Sequence, residues 1–75
     1  MNLISHAIVL SGGISHLAKN CGVSYQAVRR WEQANRLPRT ELTGETEYAR
    51  AIAKTIGNKI TRRKLLDATR KGWQA

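Results

Sequence analysis

The chain has 75 residues, which is enough for one small domain with a single hydrophobic core. Thirteen Lys and Arg residues stand against five Asp and Glu residues, and the net charge of +8 favours a polyanionic partner, with nucleic acid ahead of an anionic membrane surface. The lone cysteine, Cys21, excludes an intramolecular disulfide and a zinc site built from several cysteines. The apolar run 7–10 is too short to span a bilayer, and we expect a cytoplasmic protein without a signal peptide.

The spacing of apolar residues predicts an all-α single domain of five helices and no strand. We expect these helices, in chain order, at 3–10, 14–20, 25–33, 45–56 and 61–69. Asn2 and Ser24 are good N-caps for the first and third of them, because a short polar side chain can accept a free N–H of the first turn. We expect a loop at 39–44 and a flexible tail at 70–75.

Residues 14–33 have the spacing of a helix-turn-helix unit. Ala18 is small where two helices must cross, and Gly22 allows the sharp turn that follows. Val28 fits the gap between the helices, and Trp31 closes the core below them. An ordinary pair of packed helices without a role in DNA binding is the alternative.

The segment from Gly12 to Trp31 resembles the Gly-Gly…Leu-Ala…Gly-Val-Ser…Ala-Val…Trp signature of phage Cro-like and YdaS-like DNA-binding proteins. Further stretches are similar to that family's downstream pattern, namely 37–38, 55–57 and 60–66. Asn58 stands where the family has a second glycine. The resemblance implies a small helix-turn-helix domain of the lambda-repressor-like type, encoded by a phage or prophage, that represses transcription by binding operator DNA.

The resemblance also implies that the start of the third helix lies in the major groove, with five side chains at the base edges. Carried onto this sequence, these residues are Ser24, Tyr25, Gln26, Arg29 and Arg30. Gln26 can pair bidentately with adenine N6 and N7, and an arginine can pair with guanine O6 and N7. Because Gln26, Arg29, Arg30 and Gln33 recur at helical spacing, they share one polar face. A face that is merely solvated is the alternative.

Contacts with the DNA phosphates are expected at residues around the base-reading helix: Gly13, Ser15, His16, Lys19, Arg36, Arg62 and Arg63. The glycine turn at 12–13 leaves N–H groups free at the start of the second helix, which is a natural site for an anion. Arg62 and Arg63 lie in the first turn of the last helix, where cations oppose the helix dipole. An external phosphate or an acidic partner would reverse that penalty, and the alternative is a tolerated, solvated charge.

The sequence shows no Cys-His-acid set, no evident acid/base pair, no metal-ligand spacing and no Gly-rich phosphate loop, so we expect neither an enzyme nor a cofactor. Two copies on a near-palindromic site are expected, with a homodimer that forms free or only on DNA. The alternative is a YdaS-like antitoxin that mainly binds an acidic protein partner. A membrane-surface peptide is disfavoured because the apolar first helix has no basic face. Trp73 packs either on the last helix or in a dimer contact.

Overall fold

The computed structural model describes residues 2–74, which fold into six helices. Their bounds are α1 Leu3–Ser11, α2 Ile14–Cys21, α3 Tyr25–Ala34, α4 Thr40–Thr43, α5 Tyr48–Thr55 and α6 Arg62–Gln74. The all-α prediction is confirmed, and residues 2–74 contain no strand. Within the same residues, no helix reaches the length and apolar character needed to cross a bilayer.

Local signals fix several of the helix ends. The Oδ1 atom of Asn2 accepts the Ser5 N–H at 2.6 Å, and the Oγ atom of Ser24 accepts the Ala27 N–H at 3.2 Å, so both predicted N-caps are confirmed. After α5, Asn58 has a φ of 62°. Asparagine tolerates this left-handed conformation better than most residues, which explains why it can replace a glycine there.

The core lies where the faces of five helices meet. α2 packs on α3 and α5, α5 packs on α6, and α1 contacts all four of these helices. The largest apolar side chains that are fully buried come from each of these helices and from the segment after α3: Ile4, Leu17, Val28, Leu37, Ile52 and Leu65. Trp31 is 6% exposed, and its ring centroid lies 5.0 Å from that of Tyr48 on α5. One face of α3 is therefore held against the core, as predicted.

The predicted loop at 39–44 was wrong, because it contains the short helix α4, and the following helix begins at Tyr48 rather than at residue 45. Glu41 on α4 is only 7% exposed. Its carboxylate accepts the N–H groups of Tyr48 at 2.8 Å and Ala49 at 2.7 Å, and it also accepts the hydroxyl of Thr46. A side chain from outside α5 thus satisfies the free N–H groups at the start of that helix.

The last helix is longer than predicted. Its expected end at Thr69 was wrong, since residues 70–74 continue α6. The flexible tail expected at 70–75 stays a prediction, and Ala75 lies outside the described residues. The indole N–H of Trp73 donates to the carbonyl of Leu37 at 2.9 Å. This hydrogen bond anchors the final turn within the chain, so Trp73 packs intramolecularly, against the segment that follows α3.

Candidate nucleic-acid interface

The helix-turn-helix unit consists of α2, a turn at 22–24 and α3. Gly22 has a φ of 71°, and a Cβ atom added there would meet no other atom within 4 Å. The glycine is therefore required by the left-handed backbone of the turn rather than by crowding. The next N–H, that of Val23, donates to the carbonyl of Ala18 at 3.0 Å, which closes α2. Ala18 and Val28 are both buried between the helices, in agreement with the predicted geometry.

The polar face of α3 points away from the core. Gln26, Arg29, Arg30 and Gln33 are all exposed, while Val28 and Trp31 on the opposite face are buried. This arrangement follows from the helical period, because positions i, i+3, i+4 and i+7 lie on one side of the helix. The amide and guanidinium groups are thus presented outward from a helix whose other side is fixed by packing.

Ser24 and Tyr25 stand at the N-terminal end of this face. Tyr25 is 47% exposed, although it is a large aromatic residue. The Oγ atom of Ser24 accepts the N–H of Ala27, which leaves its O–H free to donate to another acceptor. The structure therefore brings the five predicted base-contacting residues together on one exposed surface at the start of α3.

The arginines of this surface form no ion pair with any residue of the described part of the chain. The ion pairs formed among residues 2–74 join Arg50 to Glu47 at 3.8 Å and Arg70 to Asp67 at 3.1 Å. Neither pair includes Arg29 or Arg30. The positive charge of α3 is consequently available to an external anion.

Four predicted phosphate contacts lie together on α2 or at its start. Gly13 is the residue that precedes the helix, and Ser15, His16 and Lys19 are exposed along it. His16 also lines an open groove of about 520 Å³ to which α5 contributes Lys54. Lys54 has no local signal in the sequence for this position, because its place beside α2 depends on the packing of two helices that are far apart in the chain.

The other three predicted phosphate contacts lie elsewhere. Arg62 and Arg63 are exposed in the first turn of α6, which contains no acidic residue. Arg36, just after α3, is half-buried and already has partners. Its Nη1 atom donates to the carbonyl of Gly72 at 2.8 Å, and its guanidinium carbon lies 3.8 Å from the ring centroid of Trp73.

Cys21 ends α2 at the edge of the core. Burial, and to a smaller extent the negative charge of Glu41, raise the pKa of its thiol to about 11. A thiol that stays protonated at neutral pH is a poor nucleophile. Among the described residues, no group of three or more His, Cys, Asp and Glu side chains is placed to hold a metal ion.

The chain is similar to a known phage protein. It is 44% identical over 54 residues to the 8.4 kDa cro protein of Escherichia phage HK022, and the match covers 72% of this chain and 71% of that protein. No family model and no solved structure matches the chain.

Proposed function

The chain belongs to the phage Cro family of transcriptional regulators, and we propose on that premise that it binds operator DNA through α3. The observation that carries the proposal is the outward face of α3, where Gln26, Arg29 and Arg30 are exposed. α3 is the second helix of the helix-turn-helix unit, and an exposed polar face on that helix suits the major groove of double-stranded DNA. The function requires no catalytic step and no cofactor, and it would be carried out in the cytoplasm of a bacterial host, where the bound protein joins the nucleoid.

We propose a division of labour along the start of α3. Gln26 reads adenine through two hydrogen bonds, and Arg30, one turn further, reads guanine in the same groove. Arg29 reaches either a base edge or a phosphate. Tyr25 packs against a thymine methyl group, and the free O–H of Ser24 donates to a base or a phosphate. Each bidentate pair discriminates against a wrong base by roughly 1–3 kcal/mol.

Phosphate contacts on either side fix the register of the helix in the groove. On α2 we assign them to Gly13, Ser15, His16 and Lys19, with Lys54 added because it shares the groove of His16. On α6 we assign them to Arg62 and Arg63, where a phosphate would also offset the unfavourable helix-dipole interaction. Arg36 is left out of this set because its guanidinium is engaged with Gly72 and Trp73.

Two copies are proposed to occupy one near-palindromic operator, since a single small domain contacts too few bases for strong specificity. The dimer forms either free or on DNA. Sedimentation of the free protein and of its complex with a selected duplex distinguishes these two cases.

The experiment that tests the function begins with selection of bound duplexes from a random pool. Gln26→Ala and Arg30→Ala should then each weaken binding to the selected duplex by about 1–3 kcal/mol. Binding to random duplex should fall much less. Gln33→Ala, an amide further along the same face, and Arg50→Ala, an exposed arginine on α5, are the matched controls. An equal fall on both duplexes would mean that α3 does not read sequence.

The salt dependence of binding tests the phosphate contacts separately. The logarithm of the affinity should fall linearly with the logarithm of the salt concentration, with a slope of about −0.9 for each phosphate neutralised. Replacing Lys19 or Lys54 by Gln should reduce the slope by about one and weaken binding uniformly across sequences.

The likeness to YdaS proteins and the antitoxin role remain predictions. An acidic protein partner would be recognised through the basic surface of α5 or α6. In a toxicity assay, loss of protection on mutation of those helices, with α3 variants still protective, would favour that alternative.

A further inference from the structure

The turn that leaves α3 is held by the end of α6. The N–H of Leu37 donates to Oγ1 of Thr69 at 3.1 Å, and the carbonyl of Leu37 accepts the indole N–H of Trp73 at 2.9 Å. Both backbone groups of this fully buried residue are therefore satisfied by side chains of a helix more than thirty positions away. Thr69 and Trp73 are one turn apart, on the same face of α6.

Arg36 adds two contacts to the same face. Its Nη1 atom donates to the carbonyl of Gly72 at 2.8 Å, and its guanidinium lies over the ring of Trp73. The carbonyl of Gly72 is among the last four of α6 (Arg62–Gln74), and such carbonyls have no N–H partner within their own helix. A Cβ atom at position 72 would lie 2.9 Å from the Cβ atom of Arg36, so only glycine permits this approach.

Arg36 is in turn tied to α3. Its backbone N–H donates to the carbonyl of Trp31 at 3.1 Å, after Asn35 has ended the helix in the left-handed conformation. Trp73 also lines an open groove of about 380 Å³ together with Arg30 on α3. The contacts with α6 thus act at the C-terminal end of the base-reading helix, whereas its N-terminal end is held by the turn at 22–24.

We propose that Arg36 and Trp73 are positioning residues for DNA recognition. Their contacts hold the turn after α3 against the end of α6, and they thereby set the angle at which α3 enters the major groove. The inference rests on the proposed function. Bidentate base contacts need side chains placed to within about 0.5 Å, so a small tilt of α3 would weaken them. Phosphate attraction changes only slowly with distance and would tolerate the same tilt.

The test compares binding to the selected duplex with binding to random duplex of the same length and at the same salt. Three variants test the contacts that Arg36 and Trp73 make. They are Trp73→Ala, Trp73→Phe, which keeps an aromatic ring but loses the N–H, and Arg36→Lys, which keeps the charge. Gln74→Ala, an exposed polar residue next to Trp73, is the control. Thermal unfolding curves followed by circular dichroism identify a temperature at which every variant is folded, and binding is measured at that temperature.

We expect Trp73→Ala and Arg36→Lys to lower the preference for the selected duplex by about tenfold, the scale of one lost base contact. Binding to random duplex and the salt slope should stay unchanged, because every cation is retained. If Trp73→Ala does not fold, Trp73→Phe and Arg36→Lys provide the measurement. A purely structural role would leave the preference of the folded variants unchanged.

Two outcomes would overturn the proposal while leaving the proposed function intact. In one, the folded variants keep the full preference of the wild type. In the other, Arg36→Lys behaves as the wild type while Arg36→Gln weakens both kinds of binding equally and lowers the salt slope by about one, as a direct phosphate contact would. If the wild type itself prefers no sequence, the proposed function fails, and the positioning role fails with it.

Discussion

Glu41 and Ala49 lie eight residues apart in the chain, yet the carboxylate of Glu41 accepts the backbone N–H of Ala49 at 2.7 Å. The same carboxylate accepts the N–H of Tyr48, so one side chain on a four-residue helix caps the start of α5. α5 packs on α2 of the helix-turn-helix unit and places Lys54 beside it. The cap therefore supports one side of the candidate DNA-binding surface.

Replacing Glu41 by alanine should destabilise the fold. The change leaves the N–H groups of Tyr48 and Ala49 without their acceptor, which costs about 1–3 kcal/mol for each buried group that stays unsatisfied. The melting temperature of a domain this small should fall by about 4–8 °C for each kcal/mol lost. Thermal unfolding followed by circular dichroism measures the effect. Glu45→Ala, which removes an exposed carboxylate nearby, is the control and should have a much smaller effect.

The thiol of Cys21 should be unreactive in the folded protein below pH 9. Because burial and Glu41 raise its pKa to about 11, the folded state holds the thiol proton more tightly than the unfolded chain does. The stability that this provides is fully present below pH 9 and is lost as the pH rises between about 9 and 11. Chemical denaturation of wild type and Cys21→Ala over this range isolates the contribution, since other groups titrate equally in both.

The pKa of the Cys21 thiol also depends on the negative charge of Glu41. Burial and the negative charge of Glu41 both raise the pKa of Cys21, and Glu41→Gln removes the charge, which has the smaller effect. The pKa should fall but stay above its usual value, because burial remains. The pH dependence of alkylation by iodoacetamide reports this pKa. An unchanged alkylation profile would contradict an electrostatic link between the two residues.

The substitution Arg62→Glu should lower DNA affinity without lowering the stability of the fold. Glu at the start of α6 interacts favourably with the helix dipole, by about 0.3–1 kcal/mol, so the melting temperature should be preserved or rise. DNA affinity should fall, because a proposed phosphate contact is replaced by a repulsive charge. Lys71→Glu makes the same charge change near the other end of α6, where it should lower stability and weaken DNA binding less. Equal affinities of the two variants would argue against a phosphate contact at Arg62.

Gly72→Ala should fail to stabilise α6. In an ordinary helix interior this substitution gains about 1 kcal/mol in helix propensity. Here the new methyl group would lie 2.9 Å from the Cβ atom of Arg36, and overpacking of this kind costs about 1–3 kcal/mol. We expect a net loss of up to about 2 kcal/mol on these two terms, measured by denaturant unfolding. A rise in stability would show that Arg36 can move away freely.

Elements whose signals are local could be predicted from the amino-acid sequence. The hydroxyl of Ser24, the left-handed backbone of Gly22 and the helical spacing of Val28 and Trp31 act within a few residues of one another. They therefore define the helix-turn-helix unit and the outward face of α3 without knowledge of the rest of the chain. The Cro-like family followed from the same residues.

Features that depend on partners distant in sequence became visible only in the packed arrangement of the helices. The capping role of Glu41 requires α4 to lie across the start of α5, and the position of Lys54 requires α5 to pack on α2. The final turns of α6 are stabilised because the indole N–H of Trp73 donates a hydrogen bond to the carbonyl of Leu37, thirty-six residues earlier. Residues with weak local preferences take their structure from such long-range contacts, because hydrogen bonds and burial gained on folding outweigh their intrinsic tendency to fray.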